Sequence, residues 1–296
     1  MVEYLAGNRI RGTSTEKPAE NTPILSDSGI SKSELKAYWR FNETSGNVTN
    51  QASTVGSTDS MGTNADLSIS GSPSYNQTGS PANLGNNMLF GASGAYGTGG
   101  TTAGQWDFLH NQSGLFTICY WAKFPSGVTA GRVLLDDHRE TDSGVYGLDI
   151  RLGSSNFRLY MSNGVNGHKV VDGNCSANSI PDNNFHFYCW RWDYTLGSNN
   201  LKFRRDDGNE ELFQQVNTAS NTSHTDPLTI ADQSNHGTNK EPTVNIAEMS
   251  IWNRILTSAE ETALYQESLK VQDGAVYYET DTNKSYVLSS NVWSEL

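Results

Sequence analysis

The stretch Ile246 to Tyr265, IAEMSIWNRILTSAEETALY, constrains this chain more than any other, because it joins an alternating strand to a capped helix. In its first part Ile246, Glu248, Ser250 and Trp252 fall on one side of an extended backbone and Ala247, Met249 and Ile251 on the other. That period of two is what a half-buried strand requires. In its second part Thr257 is followed three residues later by Glu260, the spacing of a capping box. Reciprocal hydrogen bonds between such side chains and the first-turn amides satisfy donors that a helix start leaves open, so the spacing predicts a helix from Thr257 to about Leu269.

Other strands are legible in the same way. YWRFNETSG at Tyr38 to Gly46, FTICYWAKF at Phe116 to Phe124 and NFHFYCWRWDYTLGSNNLKFRRDDG at Asn184 to Gly208 are aromatic-rich runs bounded by Gly, Asn and Asp. The chain of 296 residues holds only 35% hydrophobic residues but 28 glycines, as expected where many short strands are joined by polar turns. Its length suits one large β domain or two ordinary ones.

Taken in order, these four segments resemble the laminin-G-like, concanavalin-A-like jelly-roll family, whose domains begin with an aromatic strand ending in Phe-Asp/Asn-Glu. They end with a strand, Asn-Arg-x-Leu-Ser/Thr and a short acidic helix. The resemblance covers roughly residues 31–270. It implies an all-β fold: a two-sheet antiparallel jelly-roll sandwich with one short helix after the last main strand. Between Thr49 and Gly104, rich in small polar residues, it implies long surface loops around one buried strand near Met88 to Phe90. It says little about function, since this fold carries lectins, adhesion modules, enzymes and inert structural proteins.

Two terminal pieces flank that body. Residues 1–30 show no sustained period and many breakers, and are expected to form an extended N-terminal arm that stays free or lies on a neighbour. Residues 271–296 contain two alternating runs around Asp281 to Lys284, predicting a C-terminal β-hairpin. This piece resembles a terminal module of tail-fibre and other virion proteins, Gly-x-x-Tyr-x-x-Thr-x-Thr-Asn-Lys followed by a late Trp, matched here by Gly274, Tyr277, Thr280, Thr282, Asn283, Lys284 and Trp293. An isolated hairpin is marginal in water, so it should pack on something larger.

The charge balance, 20 basic against 32 acidic residues, argues against nucleic acid as a partner. No run reaches the roughly 18 apolar residues of a membrane span, and MVEYLAGNRIRG lacks a signal-peptide core, so the expected location is a virion surface or an extracellular site reached without a signal peptide. Three widely spaced cysteines, Cys119, Cys175 and Cys189, read as buried reduced thiols rather than a disulfide framework, although one pair could still bridge. The seven Asn-x-Ser/Thr triplets are what so much Asn, Ser and Thr produces by chance.

Catalysis finds no motif. Glycosidases of this fold carry Glu-x-Asp-x-x-Glu on one strand, and the sequence has none. The acidic clusters Asp136, Asp137, Glu140, Asp142 and Asp206, Asp207, Glu210, Glu211 fall in predicted turns with other spacing. The six histidines form no metal-binding pair, and neither a nucleophile elbow nor a phosphate loop occurs.

Binding offers more candidates. The family resemblance implies a calcium ion held between loops at one edge: LTIADQSNHG at Leu228 to Gly237 resembles the calcium loop of pentraxins, with Gln233 and Asn235 where that loop carries Glu and Asp. Asp232 remains, and Asp136, Asp137 and Asp142 could approach from another loop; the alternative is a polar hairpin end. Trp39, Trp121, Trp190, Trp192 and Trp252 read as core. Trp106 in GQWDFLHN, Tyr96 and Trp293 are less easily assigned to packing, and Trp106 with Tyr96 and the Asp136–Asp137 pair form the candidate ligand site.

Two readings of function follow. One is a non-catalytic surface structural or assembly protein of a virion, self-associating as a homo-oligomer and contacting neighbouring structural proteins. The other is a glycan-binding, lectin-like module, calcium-assisted or not, with polysaccharide as partner. A glycoside hydrolase ranks below both.

Overall fold

Backbone pairing of the described strands forms three sheets, two of which face each other across the main core. The structure, a computed structural model, describes residues 3–5, 9–14, 17, 25, 29–80, 84–91, 94–100, 102–126, 130–137, 139–141, 144–152, 156–163, 169–175, 182–219, 223, 226–232, 242–269, 274–289 and 292–296. With strands numbered in chain order, the first sheet runs β13 (Lys169–Asn174), β12 (Phe157–Asn163), β11 (Gly144–Leu152), β9 (Arg132–Asp136), β17 (Leu228–Ile230), β7 (Tyr96–Gly99) and β4 (Ser68–Ser70), with β10 (Arg139–Thr141) paired to β11. The second runs β16 (Glu211–Phe213), β15 (Leu201–Arg205), β14 (Phe185–Asp193), β8 (Leu115–Lys123), β18 (Val244–Trp252), β6 (Asn87–Phe90) and β5 (Ser74–Gln77), with β3 (Leu35–Trp39) on β18. All pairings in these two sheets are antiparallel, and the fold is the expected sandwich.

Inward-facing residues from both sheets make one core. Leu135, Ile150, Leu159 and Ile230 meet Ile118, Tyr120, Trp190 and Ile251, all buried, with Trp39 and Phe90 beside them. Burying such side chains contributes roughly 1.5–3 kcal/mol each before chain entropy is subtracted. The sheets approach closely at Gly173, where a Cβ would lie 2.5 Å from Leu201 and 3.1 Å from Trp190.

The strand expected to be half-buried is buried on both faces. The reason is a second apolar layer on the outside of the second sheet, where helix α1 (Ser258–Leu269), Leu25 and Ile30 cover Cys119, Trp121, Phe187, Cys189 and Trp252. Trp121 stacks on Tyr265 at 5.8 Å. The alternation of β18 also shifts. A register irregularity between Ile246 and Glu248 inserts a residue, so Ile246, Met249 and Ile251 all face the main core while Ala247 and Trp252 face the outer layer. The capping box forms as expected: the Thr257 amide donates to Glu260 at 2.8 Å, and the Glu260 amide donates to Thr257 Oγ1 at 3.2 Å.

The third sheet joins the two ends of the chain. Its order is β1 (Glu3–Leu5), β2 (Arg9–Gly12), β19 (Val276–Glu279), β20 (Lys284–Ser289) and β21 (Val292–Glu295). Residues 3–5 and 9–12, expected in an extended arm, instead form an antiparallel pair, and β2 lies parallel to β19. The hairpin gains a third strand, β21, and with β2 beside it buries Ile10, Ala275, Tyr277, Leu288 and Trp293 in a core of its own. Trp293, which the sequence left unassigned, is 7% exposed and meets Tyr277 edge-on at 5.8 Å.

Candidate functional site

One row of side chains crosses the outer face of the first sheet. Register places Asp172, Tyr160, Asp149, Asp136, Thr229, Thr98 and Ser68 side by side, one per strand from β13 to β4. Neighbouring strands lie about 4.8 Å apart, so the row is a polar ridge on a face whose opposite side is the apolar core. Its middle is covered: Asp136 and Asp149 are 0% exposed and Thr229 is buried. Both ends of the row are accessible: Ser68 is exposed and Thr98 partly exposed at one, and at the other, carried by β11, β12 and β13, Tyr160, Arg151, Arg158 and Asp172 are all partly exposed.

Two guanidinium–carboxylate pairs organise that end. Arg151 Nε donates to Asp149 Oδ1 at 2.6 Å, and its Nη2 bonds the second oxygen; Arg158 binds Asp172 through Nε and Nη2 in the same forked manner. Arg151 and Arg158 are register partners, so both guanidiniums flank Tyr160 on one side, at 5.4 and 5.5 Å from its ring centroid. Burial opposes the charge of Arg151, yet Asp149 and then Asp136 hold it firmly protonated; for Arg158 the Asp172 hydrogen bonds dominate. Planar forks locked by carboxylates are preorganised hydrogen-bonding surfaces with little net charge.

The sequence-derived candidates are scattered by comparison. Trp106 is no exposed platform: it is 2% exposed, its ring lies 6.4 Å from Trp39, and its Nε1 donates to the Gly99 carbonyl at 3.1 Å. Asp137 is equally inaccessible. Its carboxylate accepts the Leu148 amide at 2.6 Å and contacts His110 Nδ1 at 3.0 Å, bracing the Trp106–His110 turn against β11. Asp136 belongs to the ridge, but to its covered middle. Tyr96 is partly exposed on β7, in the row beside the ridge and opposite Ser70 of β4, several strands from Tyr160.

The calcium reading rests mostly on residues outside those described. Thr229 pairs with Asp136 and the Ala231 amide donates to the Leu134 carbonyl at 2.7 Å, so the chain leading to Asp232 runs along β9 away from Asp136. Asp142, Gln233 and Asn235 lie outside the described residues. Among those described, no three acidic, histidine or cysteine side chains converge as a metal site, whereas calcium needs six to eight oxygens.

Tyr160, Arg151, Arg158, Asp149 and Asp172 belong to no sequence motif. Their signal is the alternation within LDIRL, FRLYMSN and VDGN, where every second residue is polar or aromatic on one face of three successive strands.

A separate charged cluster sits at the start of β14. His186 Nδ1 lies 2.7 Å from Asp206 Oδ2 and its Nε2 lies 3.0 Å from Asp182 Oδ1, with Arg205 alongside. Burial and Arg205 oppose its charge, but the two carboxylates prevail and raise its pKa above the ordinary value. The imidazolium therefore contributes stability that is fully present below about pH 6.5 and lost as pH rises through the higher folded pKa. His186→Gln is expected to cost about 1–2 kcal/mol at pH 5.5 and clearly less at pH 8.5, measured by chemical denaturation at both.

Comparison with known proteins agrees with this architecture. The profile of the concanavalin A-like lectin/glucanases superfamily, in its laminin-G form, matches residues 97–260, more than half of the chain. The chain belongs to this superfamily. Within the superfamily domain lie β7 to β18 and the start of α1, including the whole Tyr160 end of the ridge. No curated protein sequence matches the chain. Among solved structures, the binding domain of botulinum neurotoxin DC in complex with SialylT is similar at 14% identity and TM-score 0.56, covering 82% of this chain and 52% of that one. The same domain in complex with rat synaptotagmin II gives 12% identity, TM-score 0.56 and coverage of 83% and 53%. Trypanosoma rangeli sialidase in complex with sialic acid gives 12%, TM-score 0.51 and coverage of 81% and 34%. The chain thus spans about half or less of these chains, and likeness at this identity shows the fold alone.

Proposed function

We propose that this chain is a non-catalytic recognition module that binds neutral glycan on the outer face of its first sheet, at Tyr160, Arg151, Arg158 and Asp172. The observation that carries the reading is the pairing of each partly exposed guanidinium with a carboxylate around a partly exposed tyrosine. Sugar hydroxyls need donors and acceptors in fixed positions beside an aromatic surface, and this patch supplies both without a charge that would select anions. The net charge of −12 also disfavours acidic sugars. Two of the structurally similar proteins are named as complexes with SialylT and sialic acid, so sialylated probes belong in the test. Hydrolysis finds no support: Asp136 and Asp149 are directly opposed but fully buried, and Asp149 is held by Arg151.

Tyr160→Ala is expected to weaken binding of neutral gluco-, galacto- or manno-oligosaccharides at least tenfold, about 1.4 kcal/mol, in titration calorimetry of the full chain. Sialylated oligosaccharides and added calcium form the parallel arms. Absence of millimolar binding to any neutral glycan, or a Tyr160→Ala variant that binds normally, would overturn the reading.

A second role is favoured by the terminal sheet: attachment within a surface assembly such as a virion, through self-association or contact with neighbouring structural proteins. Strands β1 and β21 are its edges, and Tyr278, Val292 and Leu296 are exposed on it, at 39%, 50% and 72%. Edge strands with exposed apolar side chains are templates for pairing with another chain. Light scattering of the full chain beside residues 31–270 tests this: a drop from oligomer to monomer on trimming supports it, and equal monomeric masses remove it.

A further inference from the structure

Cys119 and Cys189 are direct partners in the antiparallel pairing of β8 and β14. Their Sγ atoms lie 2.7 Å apart, although the residues are 70 positions apart in sequence. Directly opposed residues in such a pair have Cα atoms about 4.5–5.5 Å apart, inside the roughly 4.4–6.8 Å window that a disulfide spans. Bond formation therefore needs no backbone movement, only closure of the sulfurs to about 2.05 Å. The third cysteine is excluded by topology: Cys175 follows β13 on the opposite sheet and is buried in the main core.

We propose that Cys119 and Cys189 are a disulfide-forming pair, a cross-strand staple between the two central strands of the second sheet, and that Cys175 stays a thiol. The oxidant is a low-molecular-weight disulfide such as oxidised glutathione. One cysteine thiolate attacks it, forming a mixed disulfide and releasing one glutathione thiolate. The second cysteine then displaces the other glutathione, so two cysteine protons and two electrons end on two glutathione thiols.

Position dictates when this happens. Both side chains lie on the face covered by the outer apolar layer, at 2% and 1% exposure, and Cys189 Sγ donates to Glu261 Oε1 of α1 at 3.3 Å. Burial pushes both thiols upward, so the folded, reduced pair reacts slowly, and the bond forms while the chain folds, before α1 closes over it. Once formed, it is shielded from reductant by the same layer.

The test is refolding of the full chain from denaturant, once with a glutathione redox couple and once with excess reductant, followed by thiol counting under denaturing conditions and peptide mapping. The expected result is one thiol per chain after oxidative refolding against three after reducing refolding, with the Cys119 and Cys189 peptides linked. Reductant should open the bond in denaturant but not in the native protein. Cys175→Ser should leave the linkage intact and give no thiol after oxidative refolding. Three free thiols in natively folded, oxidatively refolded protein, or a linkage that includes Cys175, would overturn the proposal.

Discussion

Replacing Arg191 with alanine is expected to destabilise the sandwich by about 3–5 kcal/mol. Arg191 points to the outer face of β14, is 7% exposed, and meets three acceptors at once. Its Nε lies 2.5 Å from Glu261 of α1, its Nη2 pairs with Glu210, and its Nη1 donates to the Leu256 carbonyl at 3.0 Å. Glu261 is 1% exposed; without Arg191 its nearest cation is Arg204, at 3.8 Å. The variant would therefore leave a carboxylate buried under the helix with most of its compensation removed, and α1 would lose its anchor to the sheet.

The pH dependence separates this cause from simple loss of packing. Burial already pushes the Glu261 carboxyl above its ordinary value, and the arginines pull it back only in part. A group with a raised folded pKa favours the folded state most when protonated, so the deficit of Arg191→Ala should narrow as pH falls through that raised pKa toward the ordinary carboxyl value. Denaturant unfolding at pH 4.5 and 7.5 reads this directly. The double variant Arg191→Met, Glu261→Leu, which removes both charges and keeps the volume, should recover most of the loss. A single variant that loses under about 1 kcal/mol would show that the pair holds nothing together.

These residues show where the sequence is readable and where it is not. The β18–α1 unit could be foreseen because its determinants are local: alternation over a few residues, then Thr257 and Glu260 three apart. The outer layer could not, because it is made by contacts between Leu25, Trp121, Phe187 and Leu264, which no local period links. Hence β18 was expected to be half-buried, and the bulge near Ala247 was invisible, since one inserted residue reverses a face without changing composition.

The candidate site follows the same division. The polar neighbours of Trp106 suggest an exposed loop, yet a short turn carries the ring inward against Trp39. Asp136 and Asp137 looked like a solvated pair, but adjacent residues at a strand end point to opposite sides. One joins the covered ridge and the other braces His110. The Tyr160 patch exists only through register, since Arg151 and Arg158 meet because β11 and β12 pair with Leu152 opposite Phe157. The alternation on each strand was present in the sequence; the alignment that makes three strands into one surface was not.

Deleting residues 1–14 is expected to unfold the terminal sheet while leaving the sandwich intact. The deletion removes β1 and β2, and with them every backbone partner of β19 except β20. It also removes Ile10, one of five buried members of that small core, and the Thr13 carbonyl that accepts from Tyr277 Oη at 2.9 Å. Ser14 is lost as well, which bonds both oxygens of Asp281 at 2.8 and 2.7 Å. The three strands that remain share only four core residues, in a unit below the roughly 40 residues that usually fold without other support. Ile10→Ala alone should cost about 2–5 kcal/mol, enough to unfold so small a unit. Hydrogen exchange should then show residues 276–295 unprotected and Trp293 solvent-exposed, with exchange in β8, β14 and β18 unchanged. Retained protection in 276–295 would mean that the hairpin stands without its N-terminal partner. Because β2 closes the sheet across more than 260 residues of chain, loss of this pairing would also release both termini, and any assembly that depends on the edges β1 and β21 should dissociate with it.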